Sequence, residues 1–272
     1  MALLARAPAQ PGRLGRLRHR KNIGELTPAE LEALRAAWKA LVAVPDDRGY
    51  QYFAGWHGVP FGWCGRHDGD PLFLPWHRAY LYHFELALQD HDRNVALPWW
   101  DWMNEPGIPA AYEQRRPGGK VNPLHSAPIK PYMANPQAGW PTVTRRAPGA
   151  NTQTLPPPLR DRGNWVMEPT SYTEFSRRVT LLHNNIHGWL GGTMGQVDWA
   201  AYDPIFWAHH AMVDRLWRIW QHRNPGALPA ADILETPLQL GKKPILTVRE
   251  TIDVKRLGYD YAGVAVSVGG SR

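Results

Sequence analysis

Residues 179–192 read VTLLHNNIHGWLGG and set two histidines, His183 and His187, four positions apart. On a helix, positions i and i+4 share a face, with β-carbons roughly 5–6 Å apart. Both imidazoles therefore project beside the apolar stripe of Val179, Leu182, Ile186 and Leu190. Histidine is a middling helix former, so helix formation gives no reason to choose it twice. Two convergent imidazoles near apolar walls suit metal ligation.

Two other stretches supply further ligands. AHHAM brings His209 and His210, and adjacent helical positions differ by about 100° in direction. One of the two is expected to join His183 and His187 in a three-nitrogen site. AGWHGVPFGWCGRHDGDPLFLPWHRAYLYHFE brings His57, His67 and His77, spaced ten apart, as loop and helix histidines able to close another such site. His83, six residues after His77, points away, and His91 lies about 21 Å beyond His77 along a helix. His19, His125 and His222 belong to no pattern and read as surface or structural residues. Imidazole-only coordination suits zinc, copper, iron or nickel. The absence of HExxH and Glu-x-x-His motifs argues against hydrolytic zinc and carboxylate-bridged di-iron sites.

Four helices are expected to position these residues. TPAELEALRAAWKALV has Thr27 as N-cap, Pro28 at the first helical position and Glu30 closing a capping box. PWHRAYLYHFELALQDH carries His77, Leu81, Phe84 and Leu88 on one stripe. A third helix covers roughly 172–190, opened by SYTE (171–174) as a capping box. The fourth follows Asp203 as cap and Pro204. The fold class is thus mainly α, a four-helix bundle core with long irregular loops and few short strands. Residues 104–170 form an irregular segment holding 13 of the 26 prolines, a functional or wrapping loop. Its LPPPL run reads as rigid loop packing rather than a polyproline ligand. PILTV is a strand candidate in the tail.

At 272 residues and 43% hydrophobic, with 14 tryptophans, the chain has ample material for a core. No apolar run approaches the roughly 20 residues of a membrane span. The net charge of +7 is concentrated in residues 1–21, which hold six Arg/Lys and no acid, so 22–272 total +1. A basic arm on a nearly neutral body argues against nucleic-acid binding. Residues 1–21 are expected to be a flexible arm and 22–272 a single domain. The arm lacks the apolar h-region of a secretory signal, so a cytoplasmic location is expected by default; export with a partner protein would leave no trace. Cys64 is the single cysteine, which excludes an internal disulfide.

FLPWHRAYLYHFE, LPWWDW, LLHNNIHGWLGG and DPIFWAHHAMVDRLW resemble the CuA and CuB signatures of the tyrosinase and polyphenol oxidase family, bacterial type. RKN at 20–22 resembles that family's opening, and YDY at 259–261 its closing tyrosine motif. The resemblance implies two copper ions, CuA on His57, His67 and His77, and CuB on His183, His187 and His210, with His209 behind the site. It implies dioxygen and a phenolic small molecule as partners, with copper arriving through a delivery partner or unaided. The activity it implies is oxidation of o-diphenols to o-quinones. Cys64, three residues before His67, is read either as a thioether partner of His67, as in many relatives, or as a buried thiol. In tyrosinases an asparagine beside the first CuB ligand, here Asn184, works with a nearby glutamate to hold a water that deprotonates monophenols. Glu174, nine residues before His183, is out of phase on a helix, and Thr180 cannot act as a carboxylate. Weak monophenol hydroxylation, with diphenol or o-aminophenol oxidation dominant, is therefore expected. Asp214, Glu85 and Asp101 are candidates to accept histidine N–H groups, or else to pair with Arg78 or Arg215. Two other classes compete: a haemocyanin-like oxygen carrier, disfavoured because only about 50 residues follow the fourth helix, and a tryptophan-rich binding module.

Overall fold

The computed structural model describes residues 17–64, 71–105, 107–149, 164–241 and 243–264. Helix α1, Pro28–Ala43, starts at the expected capping box: Thr27 Oγ1 accepts from Glu30 N at 3.2 Å, and Glu30 Oε2 accepts from Thr27 N at 2.8 Å. Helix α2 is Tyr50–His57, α3 is Phe73–Gln89, α4 is Tyr172–Leu190 and α5 is Pro204–Arg223. Asp203 caps α5 by accepting from Ile205 N. The capping box expected at 171–174 does not form. Ser171 makes no side-chain cap bond, and Glu174 turns to Arg177 and Arg178 instead.

Helix α3 is central and packs against α1, α4 and α5. Every residue from Phe73 to Leu81 is buried, as expected of a helix enclosed on all sides. The four helices that bring histidines inward are α2, α3, α4 and α5. Helix α1 packs outside, on α2 and α3, and carries no histidine. The short α2 escaped the sequence reading because its one polar stripe is lost among aromatics: all its residues but Gln51 are buried. Seven tryptophans are fully buried, and Trp207 stacks on Phe84 with centroids 3.4 Å apart.

Strand β1, Arg18–Arg20, pairs in parallel with β4, Tyr259–Tyr261, in register Arg20↔Tyr261. Strand β2, Pro237–Leu240, pairs antiparallel with β3, Lys243–Thr247, where the PILTV candidate lies. The domain thus begins earlier than residue 22. The expected arm yields at least Arg18–Arg20 to the fold, and Arg20 is wholly buried. Residues 1–16 lie outside the described residues.

Arg20 is buried because acids await it. Its Nε donates to Glu85 Oε2 at 2.9 Å, and its Nη1 to Asp214 Oδ2 at 3.3 Å and to the Tyr261 hydroxyl at 2.9 Å. Arg78 Nε reaches Asp214 Oδ1 at 2.5 Å, and the Tyr259 and Tyr261 hydroxyls donate to Asp214 Oδ2 at 2.7 and 2.6 Å. Both guanidiniums also lie over rings, Arg20 over Tyr259 at 3.7 Å and Arg78 over Trp217 at 3.6 Å. Burial alone would raise the Asp214 carboxyl, but Arg78, Arg20 and the Tyr261 hydroxyl outweigh it and hold it below the usual range. Asp214 and Glu85 therefore serve arginines, not histidines. Asp101 likewise accepts from Asn104.

The described part of the proline-rich segment wraps the ends of α4 and α5. Arg146 pairs with the capping Asp203, and Ala147 N donates to Leu190 O at 2.8 Å. This close approach depends on the two glycines after α4. Gly192 has φ +55°, and a Cβ there would stand 2.1 Å from Arg145 O. The LPPPL run lies outside the described residues. Among the described residues no helix is long and apolar enough to cross a membrane.

Candidate metal centre

His57 is the last residue of α2 and His77 sits in the second turn of α3, while α4 carries His183 and His187 and α5 carries His209 and His210. Each Nδ1 contact on the first four is with an oxygen: His57 with Val197 O at 3.0 Å, His77 with Phe73 O at 2.9 Å, His187 with Met194 O at 2.7 Å and His183 with Asn184 Oδ1 at 2.9 Å. A carbonyl only accepts, so each of these Nδ1 atoms carries the proton and each Nε2 presents a lone pair. The partners that fix the tautomer are thus carbonyls, three of them main-chain, rather than the carboxylates proposed from sequence.

The Nε2 atoms converge. His183 Nε2 and His187 Nε2 lie 3.1 and 3.3 Å from His210 Nε2. Tetrahedral bonds of 2.0–2.1 Å to a common ion would put ligand nitrogens about 3.3 Å apart. Two lone-pair nitrogens cannot both be satisfied by the single proton His210 Nε2 could carry, so this donor set fits a cation. A second group, His57, His77 and His210, also brings its ligand atoms within 4.8 Å of one another. The His77 and His210 rings stack at 4.4 Å and 12° and bring the two groups face to face. Five of the six predicted ligands therefore meet. The sixth, His67, lies outside the described residues.

His209 is buried, and neither of its ring nitrogens is bonded to a partner among the described residues. Its ring stacks on His183 at 5.0 Å and 11°, behind the trio, yet its ligand atom falls within the group of His183, His187 and His210. Burial pulls His57 down to about 3 and His187 to about 4, and His183, His209 and His210 well below the usual imidazole value. Repulsion among the clustered rings adds to this for all but His187. At neutral pH these imidazoles are uncharged, as metal ligands must be.

Phe73 and Phe206 complete the walls and were missed by sequence reasoning. Phe73 meets His77 and His183 with centroids at 4.5 and 4.9 Å, and Phe206 meets His57 and His210 at 4.8 and 4.1 Å. Each stands four residues before a histidine on the same helix, so i,i+4 spacing was the available signal. Cys64 is buried with Sγ 3.7 Å from His77 Nε2. The expected thioether to His67 lies outside the described residues.

The remaining candidates fall away from the centre. Glu174 is held by Arg177 and Arg178, whose hydrogen bonds lower it to about 2. The Thr180 hydroxyl donates to Ser176 O at 2.9 Å. His83 faces Trp56, and burial pulls it down to about 4. The edge at Asn184, Gly188 and His187 differs from the rest: Asn184 and Gly188 are exposed and His187 is half-buried. A Cβ on Gly188 would meet nothing within 4 Å among the described residues.

Residues 47–223 match the family model described as the common central domain of tyrosinase. Unit D of the haemocyanin beta-C chain of Helix pomatia is 32% identical over 250 residues, covering 81% of this chain and 57% of that one. A tyrosinase of Streptomyces glaucescens is 35% identical over 184 residues, covering 59% of this chain and 67% of the relative. A functional unit from octopus haemocyanin superposes with a TM-score of 0.77 at 29% identity, covering 91% of this chain and 68% of that one. The chain spans just over half of the snail relative and 7% of the G-type haemocyanin of Enteroctopus dofleini. Two facing histidine clusters, four of whose members present proton-free Nε2 atoms, on helices that match this domain along most of the chain, make it a member of the tyrosinase family of type-3 copper proteins, which bind two copper ions.

Proposed function

We propose that this chain is an oxidase that uses dioxygen to convert o-diphenols to o-quinones, accepts o-aminophenols, and hydroxylates monophenols more weakly. His57, His67 and His77 hold the first copper, and His183, His187 and His210 the second. Copper supplies the redox chemistry that passes electrons from the phenol to dioxygen. Two diphenols each lose two electrons and two protons, and one dioxygen takes them up to give two waters.

The chain's own contribution is orientation. Main-chain carbonyls of Val197, Phe73 and Met194 hold three imidazoles in one tautomer and one direction. Phe73 and Phe206 exclude water from the faces of the rings. His209, with its plane against His183, keeps that ring from turning and is a positioning residue. Asn184 engages His183 Nδ1 and is itself exposed, so it stands where a phenolic hydroxyl would arrive. No described carboxylate accompanies it, since Glu174 is taken by two arginines. Among the described residues a water beside Asn184 thus finds no acceptor to deprotonate a monophenol, which supports the diphenol preference.

The observation that carries the reading is the open edge at Asn184, His187 and Gly188 beside otherwise buried ligands. An exposed edge of this kind gives a phenolic ring an approach to the ligands from solvent. The similarity to haemocyanins favours a second reading, reversible dioxygen binding without catalysis. Oxygen uptake by copper-loaded protein decides between them. Rapid uptake with a catechol and an o-aminophenol, and slow uptake with tyrosine, is expected. Oxygen bound but not consumed with any of the three selects the carrier, and tyrosine turnover matching catechol refutes the weak-hydroxylation claim.

A further inference from the structure

A cavity of about 760 Å³, lined by none of the clustered histidines, lies between residues 113–126 and the strap 143–148. Its volume is in the range of small-molecule sites. Four arginines, Arg115, Arg116, Arg145 and Arg146, line it together with His125, and Glu113 is its one acidic lining residue. The concentration of charge is local, because residues 22–272 together carry only +1.

The four arginines are not equivalent. Arg146 is spent on structure: it pairs with buried Asp203 and donates to the carbonyls of Tyr112 and Leu124. It forms a neutralised floor. Arg115 has no carboxylate partner among its hydrogen bonds. Its Nε donates to His125 Nε2 at 3.3 Å, and His125 Nδ1 contacts Tyr112 O at 3.2 Å. An arginine braced by an imidazole is held in place without a carboxylate bonded to it among the described residues, where its terminal nitrogens make no hydrogen bond. Arg116 and Arg145 are exposed, and Arg145 is fixed through its backbone, which exchanges hydrogen bonds with Thr193 at 2.8 and 3.0 Å. Guanidinium forks on a pinned backbone are suited to bidentate capture of carboxylate or phosphate.

We propose that this cavity is a binding site for a small multivalent oxyanion, a phosphate or a dicarboxylate, held by Arg115, Arg116 and Arg145. The site backs onto the metal centre. Thr193, bonded to Arg145, precedes Met194, whose carbonyl accepts from His187 Nδ1. It is separate from the phenol edge and does not depend on the catalytic reading.

The test is calorimetric titration of the full chain, copper-loaded and metal-free, with inorganic phosphate and separately with glutarate. One-to-one saturable binding of at least one of them, alike in both forms of the protein, is expected. Arg115→Gln and Arg145→Gln should each weaken it about tenfold, the loss of one charge-assisted contact, while Arg93→Gln on an unrelated exposed position leaves it unchanged. The tighter of the two anions identifies the source. No saturable binding to either, binding only in the copper-loaded form, or equal weakening by Arg93→Gln overturns the proposal, the last by reducing it to bulk charge. Retention of copper stoichiometry in each variant excludes misfolding as the cause of weakened binding.

Discussion

Asp214→Asn should be the most costly single change outside the histidines. The carboxylate receives Arg78, Arg20, Tyr259 and Tyr261 and is almost wholly enclosed. Removing its charge leaves two buried guanidiniums with Glu85 as the remaining anion among these contacts, and the new amide cannot accept what both oxygens accepted. Breaking a buried pair in this way costs about 3–5 kcal/mol. Tyr261→Phe removes the hydroxyl's two bonds, the one it accepts from Arg20 and the one it donates to Asp214, but leaves the charges balanced and the ion pairs in place, so it should cost less, about 1.5–3 kcal/mol net. Urea unfolding of the copper-free chain measures both without the added stabilisation of bound metal. The sign of the pH effect follows from the depressed carboxyl. Its contribution is complete above the unfolded value of about 3.9 and is lost as pH falls through the lower folded value. The gap between wild type and Asp214→Asn should therefore be widest near neutrality and narrow in acid. A loss below about 1.5 kcal/mol at pH 7, or one no larger than that of Tyr261→Phe, refutes the reasoning.

Gly192→Ala should lose about 1–2 kcal/mol for the left-handed backbone alone, and more because its Cβ collides with Arg145 O. A lower melting temperature and faster copper loss to a chelator are expected, and unchanged copper retention would contradict the link from this turn through Met194 to His187. Glu174→Gln should alter the ratio of tyrosine to catechol turnover by less than about twofold, because its carboxylate already faces Arg177 and Arg178. A tenfold fall, on the order of a lost catalytic contact, would show that it reaches the substrate. Anaerobic titration of cuprous ion in two buffers of different ionisation enthalpy should detect almost no proton release between pH 6 and 8. The imidazoles are already neutral there, with His57 pulled to about 3 and His187 to about 4. Release of about one proton per copper would contradict that state.

Four of the converging histidines, His77, His183, His187 and His210, and the helices α3, α4 and α5 bearing them were legible because chemistry and folding wrote separate signals at the same positions. His183 and His187 keep helical spacing beside an apolar stripe, and Thr27, Asp203 and the prolines after them mark helix starts that the structure retains. Helix α2 was not legible, being too short and too aromatic for a 3.6-residue period to stand out. The partners of the histidines were hidden for a different reason. Val197, Phe73 and Met194 act through backbone carbonyls, and a carbonyl has no side-chain identity to read. Charge misled in one place. Arg20 looked like part of a solvated arm and is buried, while Asp214 and Glu85 could be read as partners of histidines or of arginines, and it is the arginines that take them, with Arg20 the unexpected one. Pairing across 194 residues leaves no local trace.

The pairing of β1 with β4 also sets an order of events during synthesis. Arg20 leaves the ribosome early, and the Tyr261 hydroxyl that receives it follows 241 residues later. At about 5–20 residues per second the wait is roughly 10–50 s, during which the guanidinium stays hydrated and Asp214 lacks its tyrosines. All of the histidines in the sequence are synthesised before the clasp that joins α3 to α5 can close. Rigid, metal-ready geometry therefore comes only after the segment that carries Tyr259 and Tyr261 has been made.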